Sequence, residues 1–329
     1  MTETDTGLAH GPPSPPSPPL PSPEEMEAIY EDTKNWGRWG DDDRGALALL
    51  TPERRAAAAA LVRTGRCVSL AHDLTTSATE DTPRPAEHRM LASGDAAERP
   101  VRGVPGYEAS RDFVGTDVHG MGITHLDALC HMFVRGQMFN GLPAELVTPV
   151  GARRNAVTAL AEGVVGRGVL LDVPAARGEA FVPPSRPITA DDLAAAESRQ
   201  GSAVGAGDLL IVSTGRSARR AGNGGRLDPF ESLGGMHPNC LPWLRARDVA
   251  LLAGDGISDP MPAGPITDWP FPIHQVAITG LGLALVDNLR LDDLVDACAE
   301  HDRWEFLLVV APLRIPGGTG SPVNPIAVF

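Results

Sequence analysis

Lysine is almost absent from this chain of 329 residues, since Lys34 is the only one. The 28 basic residues are outnumbered by 42 acidic residues, and the formal net charge is -14. A surface of this sign offers no basic patch to neutralise a nucleic-acid backbone, and it repels anionic lipid headgroups. We therefore predict a protein that binds neither nucleic acid nor membranes.

Cysteine is scarce as well, and long apolar runs are missing. The four cysteines form no C-x-x-C pair, which argues against a zinc ribbon, a thioredoxin-type site and a secreted disulfide framework. No apolar run approaches the ~20 residues that cross a bilayer, and the first five residues include two acidic and no basic side chains, whereas a signal peptide begins with basic residues. We expect a soluble, cytoplasmic protein with reduced thiols at Cys67, Cys130, Cys240 and Cys298.

Three familiar motifs are also missing from the sequence. There is no G-x-S-x-G nucleophile elbow and no Walker A loop. Gly280 and Gly282 begin a dinucleotide-binding pattern, but Leu285 occupies the place of its third glycine. These absences set aside the α/β-hydrolases, the P-loop nucleotide hydrolases and the dinucleotide-binding dehydrogenases.

Glycine and proline are abundant, with 36 and 31 residues, so many loops are expected. Residues 11–23 alternate proline with serine and contain almost nothing apolar, a composition that favours an extended, flexible chain. We interpret residues 1–23 as a disordered Pro/Ser-rich tail, a passive leader rather than an SH3-type ligand. Residues 24–329 are predicted to form a single domain.

Beyond this tail, strand-like and helix-like segments alternate, which predicts an α/β fold. The clearest helix opens at Thr51 with Pro52 in its first turn, and Gly65 marks its expected end. Strands are predicted around Val68–Leu74, Val169–Val173, Leu209–Thr214, Val249–Ala253 and Phe306–Ala311. Further helices are predicted over Ala190–Arg199, Leu241–Arg247 and Leu291–His301.

The densest polar cluster lies between positions 119 and 131, and it contains His119, His125, Asp127 and His131. His125 and Asp127 are two residues apart, so on an extended backbone both side chains leave the same face. His119 shares their parity if the strand is continuous. Two imidazoles and a carboxylate suit Zn²⁺, Mn²⁺ or Fe²⁺ and leave a coordination position open for water, which is typical of a catalytic site.

His131 follows Asp127 by four residues, a spacing that returns a side chain beside its starting point where a strand turns into a helix. A divalent metal lowers the pKa of bound water from about 15.7 to about 7, and an imidazole titrates near ~6.5. We therefore predict that His131 is a base that shuttles the proton. The alternative, that these are ordinary half-buried histidines, is disfavoured by four such side chains in so short a span.

The cluster, with Thr124 before the second histidine, resembles the H-x-G-T-H-x-D-x-x-x-H signature of the bacterial cyclase family, which includes kynurenine formamidase and isatin hydrolase. Residues 35–40 and 316–325 look like the longer-chain branch of that family. The resemblance implies an α/β fold of the swivelling β/β/α type, a mixed sheet with flanking helices. It also implies a homodimer or higher homo-oligomer with one or two divalent ions, Mn²⁺ or Zn²⁺.

The resemblance also implies a role for each residue of the cluster. In relatives the signature histidines and the aspartate bind metal, and the last histidine moves a proton. Carried over, this gives His119, His125 and Asp127 as metal ligands. His131 is then the proton shuttle, as its position also predicts.

Relatives complete a second metal site with a later histidine and a glutamate in an E-N-L run, which match His274 and Asp287 here. Met121 stands where the short signature has its first histidine, so that ligand is carried over to His119 instead. Asp287 is one methylene shorter than the glutamate of relatives. We predict His274 and Asp287 either as further ligands or as partners that orient a ligand.

Four residues are predicted to contact the substrate. Trp36 and Trp39 resemble an aromatic entrance wall of the family, although both also suit a core. His237 lies in a Gly/Pro-bounded loop that faces either the substrate or solvent. Asp255 follows a predicted strand, where open α/β folds place ligands, although turn chemistry explains it as well. His72 is interpreted as a core histidine of an apolar strand.

The sequence therefore predicts a metal-dependent hydrolase of a small aromatic or cyclic amide, such as an arylformamide or an isatin-like ring. One alternative keeps the metal but changes the reaction, to lactone hydrolysis or to a cyclisation or dehydration in a biosynthetic pathway. Another is a ligand-binding relative without turnover. Each of these takes a small molecule as its ligand.

Overall fold

The computed structural model describes residues 18–79, 82–96, 104–225, 233–262, 266 and 268–329. The strands in these residues are β1 Cys67–Ser69, β2 Glu87–Ala92, β3 Arg111–Gly115, β4 His125–Asp127, β5 Gln137–Met138, β6 Leu142–Pro143, β7 Val147–Thr148, β8 Gly151–Ala152, β9 Val164–Asp172, β10 Leu209–Ser213, β11 Leu251–Gly254, β12 Ala284–Asp287, β13 Glu305–Val310, β14 Gly320–Pro322 and β15 Ile326–Val328. The α-helices are α1 Pro23–Thr33, α2 Pro52–Ala59, α3 Val173–Arg177, α4 Ala190–Gln200, α5 Arg216–Gly222, α6 Cys240–Arg247, α7 Pro272–Val276 and α8 Asp292–His301.

Nine strands form one mixed sheet in the order β1-β15-β13-β9-β10-β11-β12-β4-β14. The central strands β9, β10, β11 and β12 run parallel to one another. Antiparallel strands extend the sheet on both sides, with β13, β15 and β1 beyond β9 and with β4 and β14 beyond β12. The pairs β2-β3, β5-β6 and β7-β8 form small separate sheets.

The central strands are apolar because both faces of the sheet are covered, as is usual for parallel strands. Alternate residues of β10 belong to opposite core layers: Leu210 packs in one and Leu209 in the other. Leu193 of α4 and Leu244 of α6 pack in the first layer, and Leu294 of α8 packs in the second. The sheet is therefore the middle of a three-layer α/β arrangement.

The predicted α/β class, with a mixed sheet and flanking helices, is confirmed, and every predicted strand and helix has a counterpart. Thr51 caps α2 as expected, accepting a hydrogen bond from the Arg54 amide. The helix ends at Ala59, however, well before Gly65: the amides of Leu61 and Val62 close a tight turn onto Ala58 and Ala59, and the amides at 64 and 65 bond to the carbonyl oxygen of Phe329. Hydrogen bonds with Phe329 therefore hold residues 64 and 65 outside the helix.

The predicted division into a tail and one domain remains a prediction, because residues 1–17 lie outside the described residues. The side chain of Ser22 caps α1, and this first helix of the described residues begins at Pro23. A second difference concerns His72: β1 ends at Ser69, so His72 lies in the loop beyond the strand and is half-buried. None of the helices in the described part of the chain combines the length and the apolar character of a membrane-spanning segment.

The parallel strands all end at one edge of the sheet, and this edge positions the polar residues of interest. Asp287 is the last residue of β12, and Asp255 follows β11 directly. The loop after β11 continues to Asp259. The carboxyl edge of parallel strands is where open α/β sheets place their ligands.

Candidate metal centre

The candidate centre is built on β4, which lies between β12 and β14. In the antiparallel pairing of β4 with β12, His125 is opposite Asp287. Residues directly opposite one another point to the same face, and residues two apart on one strand do too. His125, Asp127 and Asp287 therefore share one face, and all three are buried. The spacing of two residues predicts that His125 and Asp127 point to the same face of a strand, and in β4 they do.

His119 reaches Asp127 from a loop and not from a continuous strand, because β4 begins only at His125. Its Nδ1 lies 2.7 Å from Asp127 Oδ1, and its Nε2 lies 2.8 Å from the hydroxyl of Thr319. A Cβ at Gly320 would lie 2.9 Å from the His119 ring and 2.5 Å from the Leu126 carbonyl oxygen. The glycine therefore leaves the room that the His119 ring occupies.

His125 has one ring nitrogen turned toward the carboxylates. Its Nδ1 lies 3.1 Å from the carbonyl oxygen of Ile123, a contact in which Nδ1–H donates. Its Nε2 then presents a lone pair 3.5 Å from Asp127 Oδ1. Metal-bound histidines are commonly oriented by such a hydrogen bond from the other ring nitrogen.

His131 comes back beside Asp127 through a tight turn instead of the predicted start of a helix, since its amide bonds to the Ala128 carbonyl oxygen. Its Nε2 lies 4.0 Å from Asp127 Oδ2, and its ring stacks on His119 at 3.7 Å between centroids. Burial lowers the pKa of His131 to about 4, so the imidazole is neutral at pH 7. A neutral imidazole can accept a proton.

His274 lies in the short helix α7 and contacts two carboxylates of the centre. Its Nε2 lies 2.9 Å from Asp287 Oδ2 and 3.5 Å from Asp127 Oδ2. Burial disfavours the charged ring, but Asp287, Asp127 and Asp259 outweigh burial and hold the pKa of His274 well above its ordinary value. Asp287 thus reaches the cluster although it is shorter than glutamate.

Asp259 lies four positions after Asp255 in the loop after β11; from sequence the carboxylates of this stretch were weighed together, and only Asp255 was predicted to contact substrate. Asp259 Oδ2 lies 2.5 Å from His274 Nδ1, and its Oδ1 accepts a 2.6 Å hydrogen bond from the amide of Ile273. Burial raises the pKa of the Asp259 carboxyl. A carboxylate at the carboxyl end of a parallel strand was the available signal, and its histidine partner lies 15 positions along the chain.

Two carboxylate oxygens in the centre lack a protein partner among the described residues. Asp127 Oδ2 and Asp287 Oδ1 are buried, and neither has a hydrogen bond. Burial raises the pKa of Asp127, but the hydrogen bond with His119 and the nearby ring of His274, whose Nε2 is 3.5 Å from Oδ2, more than offset it and hold the pKa well below its usual range. Such orphaned, charged oxygens are costly in a protein interior unless a cation or donor satisfies them.

The donor atoms lie close enough together to share an ion. One candidate group consists of His125, Asp127 and Asp287, and another of His119, Asp127 and His131; in each, the donor atoms lie within 4.8 Å of one another. Zinc binds such nitrogen and oxygen donors at about 2.0–2.2 Å, so small side-chain shifts bring them onto one ion. The residues present therefore fit a divalent metal, with Asp127 common to both groups.

The two tryptophans proposed as an aromatic wall lie at the edge of the first core layer, both half-buried. Trp36 Nε1 donates a 2.6 Å hydrogen bond to the carbonyl oxygen of Thr279. Trp39 packs against Phe139, with 6.3 Å between ring centroids. Both rings therefore have contacts within the fold, and the contact with substrate remains a proposal.

His237 lies inside the fold and not on an exposed loop. Only 4% of its surface is exposed, and its Nε2 lies 3.1 Å from the carbonyl oxygen of Pro19. Its Nδ1 accepts a hydrogen bond from the amide of Asn239. Both ring nitrogens are thus used to fasten the segment before α1 to the loop before α6.

Asp255 is buried and organises the backbone at the end of β11. Its carboxylate accepts hydrogen bonds from the amide and the hydroxyl of Thr214, and from the amide of Arg216. Burial raises the pKa of this carboxyl, and these hydrogen bonds oppose the rise. The carboxylate thus performs the turn chemistry that was the alternative interpretation, and it also lines a cavity at this edge of the sheet.

The protein is therefore an α/β protein whose mixed sheet carries a buried histidine–aspartate centre. Comparison with known proteins gives its family. The chain matches the model of the family described as putative cyclase over residues 55–259, more than half of its length. It belongs to the cyclase family. A search of curated proteins gave no match.

Solved structures agree with this family. A crystal structure described as that of a novel cyclase is 30% identical, with a TM-score of 0.81, and the match covers 91% of this chain and 99% of the other. Isatin hydrolase A from Labrenzia aggregata is 21% identical over 80% of this chain and 93% of its own, with a TM-score of 0.53. The Ralstonia solanacearum enzyme is 22% identical over 85% and 99%, with a TM-score of 0.56, and both hydrolases share the fold.

Proposed function

We propose that this protein is a metal-dependent hydrolase that cleaves the carbon–nitrogen bond of a small aromatic or cyclic amide. The observation that carries the proposal is that two buried carboxylate oxygens, Asp127 Oδ2 and Asp287 Oδ1, have no hydrogen bond among the described residues. Both carboxylates belong to one group of close donor atoms with His125. Membership of the cyclase family and the fold shared with isatin hydrolases support the choice of reaction.

The metal would be held by His125, Asp127 and Asp287, with His119 adjacent, because its Nδ1 lies 2.7 Å from Asp127 Oδ1. When bound, a divalent ion such as Zn²⁺ or Mn²⁺ lowers the pKa of water and polarises a carbonyl oxygen. Asp127 lies in both candidate donor groups, so it suits either one ion or a bridge between two. The protein supplies a buried, preorganised set of donors in which little has to move before reaction.

His131 is the residue we assign to proton transfer. Water adds to the carbonyl carbon, His131 accepts the proton that the water loses, and it returns that proton to the nitrogen as the carbon–nitrogen bond breaks. The products are a carboxylic acid and an amine. The neutral state of His131, imposed by burial, suits the first half of this cycle, and stacking on His119 fixes its ring plane.

His274 and Asp259 have a positioning role in this proposal. Asp259 accepts from His274 Nδ1 and is itself held by the amide of Ile273, so the ring cannot rotate freely. The opposite nitrogen of His274 then bonds to Asp287 Oδ2 and fixes that carboxylate. The other oxygen, Asp287 Oδ1, has no hydrogen bond among the described residues and is available to an ion.

The test of this function is turnover of a small panel of substrates before and after metal removal. Formanilides and isatins represent the proposed amides, and small lactones represent the alternative reaction. We expect amide turnover that a chelator abolishes and that Mn²⁺ or Zn²⁺ restores, with one atom of ¹⁸O from labelled water in the acid product. Full turnover in demonstrably metal-free protein, or turnover of lactones alone, contradicts the proposal.

A further inference from the structure

His119 belongs to a loop that the sheet does not hold in place. Its neighbours Asp117 and Gly120 are exposed. In the described part of the chain, the backbone of residues 117–120 makes no backbone–backbone hydrogen bond to another segment. The position of the His119 ring therefore depends on what the side chain itself contacts.

Thr319, in contrast, has a fixed position relative to Asp127. Its carbonyl oxygen accepts a 2.9 Å hydrogen bond from the amide of Ala128, the residue that follows Asp127. The next residue, Gly320, is opposite Asp127 in the antiparallel pairing of β14 with β4. The hydroxyl of Thr319 and the carboxylate of Asp127 are thus two fixed points between which the His119 ring is held.

The two ring nitrogens of His119 each contact one of these fixed points. Nδ1 lies 2.7 Å from Asp127 Oδ1, and Nε2 lies 2.8 Å from the Thr319 hydroxyl. An ionised carboxylate can only accept, so Nδ1 must carry a proton to bond with Asp127. A nitrogen that carries a proton has no lone pair for a metal ion, because a histidine ligand binds through an unprotonated nitrogen. If His119 is to share an ion with Asp127, Nδ1 must therefore lose that proton.

A hydroxyl at position 319 matches both proton arrangements of the ring. When Nδ1 alone carries a proton, Nε2 has a lone pair and the Thr319 hydroxyl donates to it. When Nε2 carries the proton instead, the same hydroxyl accepts. A backbone carbonyl or amide could serve only one of the two arrangements, because it only accepts or only donates.

We propose that Thr319 is a positioning residue of the metal centre, whose hydroxyl holds the His119 ring both when Nδ1 carries a proton and when Nδ1 binds the ion. In the metal-free protein, Nδ1–H donates to Asp127. On binding, the ion takes the place of this proton, which leaves for water, and Nε2 carries the one proton of the neutral ring. The side chain of His119 is 28% exposed, so water reaches it. The inference rests on the metal site of the proposed function and not on the reaction.

The first test measures the affinity of the full chain for Zn²⁺, by competition with a chromogenic chelator. Thr319→Val keeps the branched shape and removes the hydroxyl. We expect it to bind zinc about tenfold more weakly, the lower end of the effect of losing a partner that orients a metal ligand. Thr319→Ser keeps the hydroxyl and should bind zinc about as tightly as the unchanged protein does.

Thr148→Val is the matched control for this series. Thr148 is also a half-buried threonine, and its hydroxyl donates a 2.9 Å hydrogen bond to the carbonyl oxygen of Gly151, in the small β7-β8 sheet. Its affinity for zinc should be unchanged. Thermal unfolding of each metal-free variant checks folding. Equal zinc affinity in Thr319→Val and the unchanged protein, or equal weakening by valine and serine at this position, overturns the proposal.

The second test locates the proton in the unchanged protein, so it does not depend on whether a variant folds. Long-range ¹H–¹⁵N spectra of the histidine rings are recorded without metal and with Zn²⁺, and His119→Gln identifies the signals of His119. We expect Nδ1 to carry a proton without metal, and Nε2 alone to carry one with zinc. A proton that stays on Nδ1 in the zinc-loaded protein overturns the proposal.

These measurements separate the inference from the proposed function. If zinc binds as expected and no amide is turned over, the hydrolase assignment fails while the role of Thr319 stands. If amides are hydrolysed with metal and Thr319→Val binds zinc normally, only the role of Thr319 fails. If the unchanged protein binds no divalent ion, both fail.

Discussion

Asp127→Asn should remove the bound divalent ion and lower kcat/KM for the amide substrate by about 10³-fold or more. The reason is geometric: Asp127 is the donor common to both candidate groups, and its Oδ2 has no protein partner among the described residues. Asparagine keeps an oxygen that can face His119, but it replaces the other oxygen with an amide NH₂ that cannot bind a cation. Elemental analysis and steady-state kinetics measure the two effects.

Asp172→Asn is the matched control for this substitution. Asp172 is also a buried aspartate at the carboxyl end of a strand, where it caps α3 by accepting from the amide of Ala175. Asparagine caps helices about as well as aspartate, so this variant should keep its fold, its metal and its activity. Normal metal content and activity in Asp127→Asn would contradict the assignment of Asp127 as a metal ligand.

The second large effect is expected at His131. His131→Ala should lower kcat by about 10²-fold or more while the metal content stays unchanged, because the ring transfers a proton and does not hold the ion. Added imidazole should restore part of the lost rate by entering the space that the side chain leaves. In the unchanged protein, His131 Nε2 is 4.0 Å from Asp127 Oδ2, near enough for proton transfer through a bound water.

This prediction discriminates between two roles for the same residue, since His131 also belongs to a candidate donor group with His119 and Asp127. Loss of metal from His131→Ala would make it a ligand and would end its assignment as the proton shuttle. His88→Ala is the control, because His88 is exposed in β2 and does not belong to the centre. It should leave kcat and metal content as they are.

Much of the centre follows from local sequence, because side-chain direction on a strand depends only on parity. His125 and Asp127 are two apart, and they do share one face of β4. The spacing of four between Asp127 and His131 also brought the two together, although through a turn instead of a helix. The α/β class followed from the alternation of apolar segments in the same way.

Other parts depend on contacts between distant segments, which periodicity cannot give. Asp259 acquires its role only because α7 brings His274 against it. His119 reaches Asp127 from a loop, beside Thr319, which comes from a segment 200 positions away. His237 is held by Pro19, 218 positions away, so its loop sequence could not reveal that it is buried.

The position of His72 also depends on contacts between distant segments, so it could not be predicted from local sequence. Its apolar neighbours suggested a strand and a core position, but β1 ends at Ser69 and the residue lines the same cavity at the edge of the sheet as Asp255. Other parts of its wall come from the segments that follow β10, β11 and β12 and from the loop before β4. Only the folded sheet brings these strand ends to one edge, so the cavity has no counterpart in any single stretch of sequence.

The most direct measurement is anomalous diffraction from crystals of the full chain grown with Mn²⁺ or Zn²⁺, with data collected on both sides of the metal absorption edge. The structure predicts a peak within bonding distance of His125 Nε2, an Asp127 oxygen and Asp287 Oδ1. A well-ordered crystal with full side-chain density for these three residues and no anomalous peak between them would contradict the account.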